Sequence, residues 1–583
     1  MKKQDKLSRR EFFGAAGATT LAAEKLRLWL VKDIYIWRRI IMKTLFVILL
    51  TLFFPIAGLG KTESNHSENP LRDEQLKSYD VIVYGGTAGG AMAAIAAAEQ
   101  DVKVALLEPR KHIGGMLSGG LGRTDMDRQQ HVIGGYAREF FVRAGGYYNK
   151  DISWTFEPKV AEEILNKWVE KAGVEVFFGQ RVDSVRLEKN IIRRIKMENG
   201  SEFAAKVFID SSYEGDLMAR AGVSYTTGRE GRDKYDESFA GIKEILPGQH
   251  QISVPISPYD DKGDLLPYVI DGSNVKAVGE GDKKVQAYCF RVCLTNVKEN
   301  QVPITRPEDY DPARYELMRR FLSKRKSLYK SIGLPLGISR IPNGKTDINS
   351  GGGVSTNLPG ASWQYPDADY KRRQEIWGEH LSYTKGLLYF LGHDPKLPKE
   401  IRDEMNRWGL AKDEFIDTGH WPHQMYIREG RRMLGEYIMT QHDVQSKRKK
   451  YDTIGMGGYN MDVREVQWIA KQIYWFPLPK KMVLMEGYFT HPVEPYEIPY
   501  RCLLPRQAEC NNLLVTSCVS ASHMAYSSLR MEPQYMIMGQ SAGVAGALAV
   551  KSKKPVHLID ITILQQELKK QKQILTLEDV NKE

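Results

Sequence analysis

The sequence predicts an α/β protein with a doubly wound nucleotide-binding domain that is discontinuous along the chain and carries an inserted α+β domain. Three observations point there. An apolar run breaks into glycines at Val81–Gly90, and a second apolar run then closes on an acid, Glu108. A further glycine-rich stretch, Gly539–Gly546, lies more than four hundred residues later. Between Asp233 and Glu497 the strand–helix alternation gives way to aromatic runs, prolines and amphipathic helices. At 583 residues the chain is long enough for two domains.

Val81, Ile82 and Val83 read as a buried parallel strand ending at Tyr84. Gly85-Gly86-Thr87-Ala88-Gly89-Gly90 follows as the turn, "AMAAIAAAEQ" as the helix, and "VKVALLE" as the next strand. This is the Rossmann-like dinucleotide-binding βαβ unit. Gly85 permits the tight turn, and Gly90 lets the helix pack closely on the strand. Gly86, Thr87 and Ala88 stand where the helix N-terminus offers free N–H groups to a pyrophosphate. Glu108 lies about 20 residues on, where a carboxylate accepts hydrogen bonds from ribose hydroxyls. One position departs from G-x-G-x-x-G: Thr87 replaces the middle glycine, so its side chain must either turn away or offer its hydroxyl.

The strands "VEVFF" and "VDSVRLE" and a hairpin turning at Asn199-Gly200 lead to "KVFID", ending at Asp210. Asp210 reads either as a site residue or as a structural cap. In the insertion, "DTGHWPHQMYIREGRRMLGEY" places Arg428, Arg431 and Arg432 at helical spacing. They read either as a helix salt-bridged to Glu429 and Glu436 or as a clamp for an anionic or polyhydroxylated substrate. The five cysteines have neither zinc nor iron–sulfur spacing and read as small buried hydrophobes. His420 and His423 have no carboxylate at ligand spacing, so no metal is expected.

The net charge of +11 includes a basic leader through Arg39 and a loop cluster, "QSKRKK". No basic helix with interleaved aromatics suggests nucleic acid. Residues 1–41 look like a twin-arginine export leader, with Arg9-Arg10 before Phe12-Phe13. Residues 42–60 read as a second signal peptide or a short anchor, being short for a transmembrane helix. Translation starting at Met42 would make the upstream residues a gene-model artefact. An uncleaved 42–60 segment would bring membrane contact. Either way, export to the periplasm or beyond is expected, with 61–77 a linker.

Several stretches together resemble the bacterial FAD-dependent oxidoreductase family, within the two-dinucleotide-binding-domain flavoproteins, distant relatives of fumarate reductase and succinate dehydrogenase. They are "VYGGTAGGAMAA", "EPRKHIGGMLSGGLGRTD", "AKVFIDSSYEGDLMARAGVSYTTGRE" and "SASHMAYSSLRMEPQYMIMGQSAG", with the arginine-rich stretch above. The family pattern itself admits threonine at position 87. Where many relatives carry Asp-Ser-His, this chain has Asp462-Val463-Arg464, so no proton-transfer histidine carries over there. The resemblance implies FAD as cofactor. It implies that Gly114, Gly115, Met116 and Ser118 wrap the diphosphate and flavin, and that Val182 contacts the adenine end. It further implies that Gly539, Ala542 and Gly543 close the site at a late helix start. The domains implied are 78–232 and 498–560 for FAD and 233–497 for substrate, with 561–583 a tail.

His523, Arg530 and Glu532 then fall beside the flavin, with Arg530 either serving the flavin or pairing with Glu532. Histidine changes charge in the physiological range, so His523 is the expected base while a hydride passes between substrate and flavin. Arg428 and His420 complete the expected catalytic set. The partners expected are a small-molecule substrate, polyhydroxylated or carbohydrate-derived, and an unnamed electron acceptor. The alternatives are reduction of an unsaturated carboxylate and a non-catalytic flavin-binding surface protein.

Overall fold

Four parallel strands carry the nucleotide-binding core: β1 (Leu76–Tyr84), β2 (Val104–Glu108), β3 (Glu175–Phe178) and β6 (Glu202–Asp210). The computed structural model describes residues 76–124, 126, 128–245, 252–475 and 478–580. The two leader segments and most of the linker lie outside these residues. The first strand begins at Leu76, two positions before the expected domain start.

The strands order as β3-β2-β1-β6, and β4 (Val182–Glu188) and β5 (Ile191–Met197) extend the sheet antiparallel beyond β6. Val81 pairs with Val104 and Ile82 with Phe208, which brings Tyr84, Glu108 and Asp210 to one edge. β7 (Leu513–Val515) returns from the far end of the chain to lie parallel to β6, Leu514 opposite Ile209. The late segment thus completes the sheet begun at Leu76.

Helix α1 (Ala88–Ala98) packs on β1 and β2. Its residues Ala88–Ala97 are buried because a second helix covers it. The insertion contributes α2 (Tyr370–His393), and the return brings α3 (His523–Leu529) and α4 (Glu532–Ser552). A Cβ on Gly539 would strike the carbonyl oxygen of Gly89, and one on Gly543 that of Ala93. These glycines let two helices approach at backbone distance. They lie in the interior of α4, not at a helix start, so Gly539, Ala542 and Gly543 serve packing and contribute nothing to the wall of the cleft described below.

The insertion is α+β, with a five-stranded sheet that includes Leu336–Ile341 and Lys345–Ser350, and a three-stranded one that includes Val269–Asp271. One apolar cluster joins Val81 and Ala91 to Phe290 and Leu387, so no gap in the core marks its boundary. The expected C-terminal tail is instead docked: helix Ile561–Lys570 buries Leu564 and Leu568, and the Lys572 carbonyl accepts the Gly135 amide at 2.7 Å. All five cysteines are buried and unpaired. Among the described residues, no helix is long and apolar enough to cross a membrane.

Candidate functional site

Two glycines of the turn stand where nothing larger fits. Gly85 sits at φ +96°, where its Cβ would press on the Ser212 amide, and a Cβ on Gly90 would run into the Gly85 carbonyl. Glu108 closes the turn from the next strand: Oε2 accepts the Gly86 amide at 2.6 Å and Oε1 the Arg110 amide at 2.7 Å. Burial pushes this carboxyl up to about 7, against the pull of those two amides. Thr87 turns away from the helix mouth. Its hydroxyl donates to the Ser211 carbonyl at 2.9 Å and accepts the Gly90 amide at 3.1 Å, capping α1.

Beside the turn, the Gly114 amide donates to the Gly86 carbonyl at 2.7 Å, and the Met116 amide to the Tyr213 hydroxyl at 3.0 Å. Ser118 donates to the Gly115 carbonyl at 3.3 Å. These contacts fix the loop as one wall of a cleft of about 830 Å³, a volume suited to a small-molecule or cofactor site. Gly85, Thr87, Glu108 and Gly115 line it, with Arg181 and Tyr213. Gly86, Ala88, Gly90, Gly114, Met116 and Ser118 stand behind that wall and shape it. Val182 spends its backbone on two tyrosines: its amide donates to the Tyr84 hydroxyl and its carbonyl accepts from Tyr370. Asp210 is a cap. It accepts the Ser212 hydroxyl at 2.7 Å and the Ser212 and Met218 amides at 3.0 and 2.9 Å, and it is fully buried, off the wall of the cleft.

The four expected catalytic residues divide. His523 opens α3, buried, with Nδ1 at 2.9 Å from both Glu429 oxygens; its Nε2 is buried and has no partner. Burial alone would raise Glu429, but His523 and Arg432 beside it bring its carboxyl down to about 2. Gln286 adds a hydrogen bond to the same carboxylate at 3.2 Å. Arg428 precedes Glu429 and is 1% exposed. It donates to the Ala287 carbonyl and, at 3.2 Å, to Cys289 Sγ, and lies 4.7 Å from the centre of the Tyr426 ring. Arg530 donates to the Tyr426 hydroxyl at 2.9 Å and to Asp462 at 3.1 Å. His523, Arg428 and Arg530 therefore gather around the segment Tyr426–Glu429. His420 does not join them; its Nδ1 lies 3.1 Å from the Glu414 carbonyl, beside the buried Lys345 and its three carboxylates.

The arginine-rich stretch is extended rather than helical. Met425–Tyr426 pairs with Cys289–Phe290, and Arg432–Met433 with Tyr225–Thr226. Distant acids decide this: Arg431 meets Asp216 at 2.8 Å and Arg432 meets Glu230 at 2.7 Å. Of the expected helix pairs, Arg432–Glu429 forms at 2.8 Å, while Glu436 accepts the Gln507 amide instead. Nor do Arg530 and Glu532 pair, since Glu532 Oε1 takes the Tyr213 hydroxyl at 2.6 Å. Tyr213, Tyr426 and Gln286 were not singled out in the sequence. Tyr213 follows the strand-ending Asp210 closely, and that position was the available signal.

His423 gains ligand-type neighbours that sequence spacing hid, His112 and Glu162. His112 Nδ1 is 2.8 Å from Glu162 and Nε2 is 3.0 Å from Asp417. Its hydrogen bond with Glu162 leads in raising its pKa. Burial, then the charges of His112 and Arg110, lowers His423 to about 3. The two rings stack 4.0 Å apart and 12° from parallel, so their in-plane lone pairs run side by side instead of converging on one ion.

The cleft fits FAD. A turn with no room for a Cβ at Gly85 or Gly90 adjoins a helix N-terminus, and the carboxyl of Glu108 stands on the cleft wall. Comparisons with known proteins bear on the family. No curated protein matches the chain. Among solved structures, NikD, an amino acid oxidase of nikkomycin biosynthesis, matches at 14% identity over 27% of this chain and 57% of its own, with a TM-score of 0.20. A flavoprotein/dehydrogenase from Cytophaga hutchinsonii matches at 17% over 26% and 44%, TM-score 0.21. Thioredoxin reductase from Lactococcus lactis matches at 20% over 23% and 35%, TM-score 0.17. The aligned part is thus less than two thirds of each of those chains. The family model described as FAD dependent oxidoreductase matches residues 80–568, nearly all of the described fold. The chain belongs to the FAD dependent oxidoreductase family and is an FAD-dependent enzyme.

Proposed function

We propose that this enzyme oxidises a small hydroxyl-bearing substrate, polyhydroxylated or carbohydrate-derived, with His523 as the base. The observation that carries the reading is the pairing of His523 with Glu429. A carboxylate fixed on Nδ1 selects the tautomer that leaves Nε2 unprotonated, and Nε2 is the ring atom the protein leaves without a partner. When bound, FAD supplies the hydride acceptor. The Glu108 carboxylate and the glycine cradle hold the cofactor, Nε2 of His523 takes the hydroxyl proton, and Glu429 stabilises the imidazolium that results. Burial around α3 keeps water from competing for that proton.

Arg428 favours a substrate that carries negative charge. The other fully buried arginines here have carboxylates beside them: Arg229 has Asp282 and Glu486, Arg291 has Asp347, and Arg432 has Glu230 and Glu429. Arg428 has a carbonyl and a thiol. Buried charges are costly unless paired, so a sugar acid, with hydroxyls for His523 and a carboxylate for Arg428, is the substrate class best supported. The same arginine supports a second reading, reduction of an unsaturated carboxylate. An anaerobic panel separates them. Oxidised enzyme bleached by a sugar acid supports oxidation. Chemically reduced enzyme recoloured by an unsaturated acid, with no sugar acid reacting, supports reduction. The export leader read in residues 1–60 belongs to this proposal too, and enzyme found only in the cytosol on cell fractionation would contradict it.

A further inference from the structure

One buried acid has no part in that chemistry. Glu532 begins α4, two residues after Arg530, the C-cap of α3, and is 3% exposed. Its Oε1 accepts the Tyr213 hydroxyl at 2.6 Å, while Oε2 is buried and meets no hydrogen-bond partner. The ionisable groups that face it are two tyrosines, Tyr213 and Tyr535. The nearest cation in sequence, Arg530, turns its guanidinium to Tyr426 and Asp462. A carboxylate here would be a buried charge held by one neutral donor, so the acid keeps its proton, and burial pushes it up to about 8. With Oε1 accepting from Tyr213, the proton sits on Oε2, where the protein offers it no acceptor.

Tyr213 links this acid to the cleft. Its hydroxyl receives the Met116 amide at 3.0 Å and donates to Glu532, and its side chain lines the cleft against Gly115. A Cβ on Gly115 would strike the phenolic oxygen. Glu532 therefore stands one side chain behind the cleft wall, with an unpaired O–H and, among the described residues, no facing cation.

We propose that Glu532 is a proton store for the enzyme's redox cycle, exchanging its proton through Oε2, and that Tyr213 is the positioning residue that holds the carboxylate left behind. The step is a proton transfer alone. The O–H bond at Oε2 breaks, the proton passes to water, and Tyr213 keeps donating to Oε1 while the charge persists. No electrons move within the pair. The proposal rests on the cleft being the FAD site and is independent of the role of His523.

Infrared difference spectroscopy tests it. The FAD-loaded enzyme is measured oxidised and after reduction by dithionite, in light and heavy water. The expected result is the carbonyl band of a protonated carboxylic acid that shifts in heavy water, changes on reduction, and disappears as the pH rises through about 8. Glu532→Gln loses this band. Tyr213→Phe keeps it and moves its titration to higher pH, because the carboxylate has lost its donor; this second variant decides the matter if Glu532→Gln does not fold. A flavin-loaded enzyme whose acid band ignores reduction, or keeps the band in Glu532→Gln, overturns the proposal. Failure of the cofactor reading would show earlier and separately, as a colourless protein that takes up no added FAD.

Discussion

At the glycine cradle the side chains of Thr87 and Glu108 are tied to backbone. Thr87 caps its own helix, and Glu108 accepts two amides, one of them only 22 residues away. Around Glu429 the ties cross the fold: His523 arrives from 94 residues away and Gln286 from 143. The second region also leaves groups unfinished that the first does not, namely Nε2 of His523 and an Arg428 without a carboxylate. A cradle made of backbone can be complete before any ligand arrives, because N–H groups and glycine geometry do the binding. A reactive centre needs unsatisfied atoms, and the fold bears their cost by surrounding them with paired charges.

The largest effect should come from breaking the cradle. Gly90→Val drives a Cβ into the Gly85 carbonyl, a backbone atom with no room to yield. It should abolish flavin incorporation and sharply lower the melting temperature; a yellow, stable variant would contradict the cradle's geometry. The comparison then predicts the opposite signature in the second region. Glu429→Gln removes the partner of His523 while Arg432 keeps Glu230. Flavin content should stay near normal, while anaerobic reduction by substrate slows by about 10²- to 10⁴-fold. A variant that loses flavin instead would merge the two regions into one.

Glu108→Ala sharpens the cradle's side. Losing a charged acceptor costs about 1.5–3 kcal/mol, so FAD should bind about ten- to a hundredfold more weakly. The sign of the pH dependence follows from the raised carboxyl. Ionised Glu108 is the better acceptor, so wild-type affinity should rise as pH climbs towards about 7 and then level off. Titration of apoprotein with FAD checks this, and the dependence should vanish in the variant. The smallest effect is expected at Thr87→Ala, which removes a helix cap worth about 1 kcal/mol and leaves FAD affinity nearly unchanged, since the hydroxyl faces the protein.

These contrasts also explain what the sequence could reveal. The cradle was legible because its parts are near neighbours whose spacing is dictated by a strand, a turn and a helix. The late return was legible as glycines, but their purpose was not: Gly539 and Gly543 look alike whether they face a phosphate or another helix, and only the approach of α1 decides. The spacing of Arg428, Arg431 and Arg432 suits a helix, yet Asp216 and Glu230, some two hundred residues earlier, pull the segment extended. His523 stood out by its place before α4. Its partner Glu429 did not, because a carboxylate among arginines reads as a surface ion pair until burial is known. Glu532 next to Arg530 reads as a pair for the same reason, and the fold sends the two side chains to different partners.

In the proposed reaction His523, held by Glu429, takes the substrate proton in an FAD-dependent oxidation. The most direct measurement is the anaerobic rate of flavin bleaching by a sugar acid, in wild type and in His523→Gln, with flavin content and melting temperature measured alongside. Fast bleaching is expected in wild type and a loss of about 10²- to 10⁴-fold in the variant, with the cofactor still bound. Bleaching at the wild-type rate in His523→Gln would contradict it.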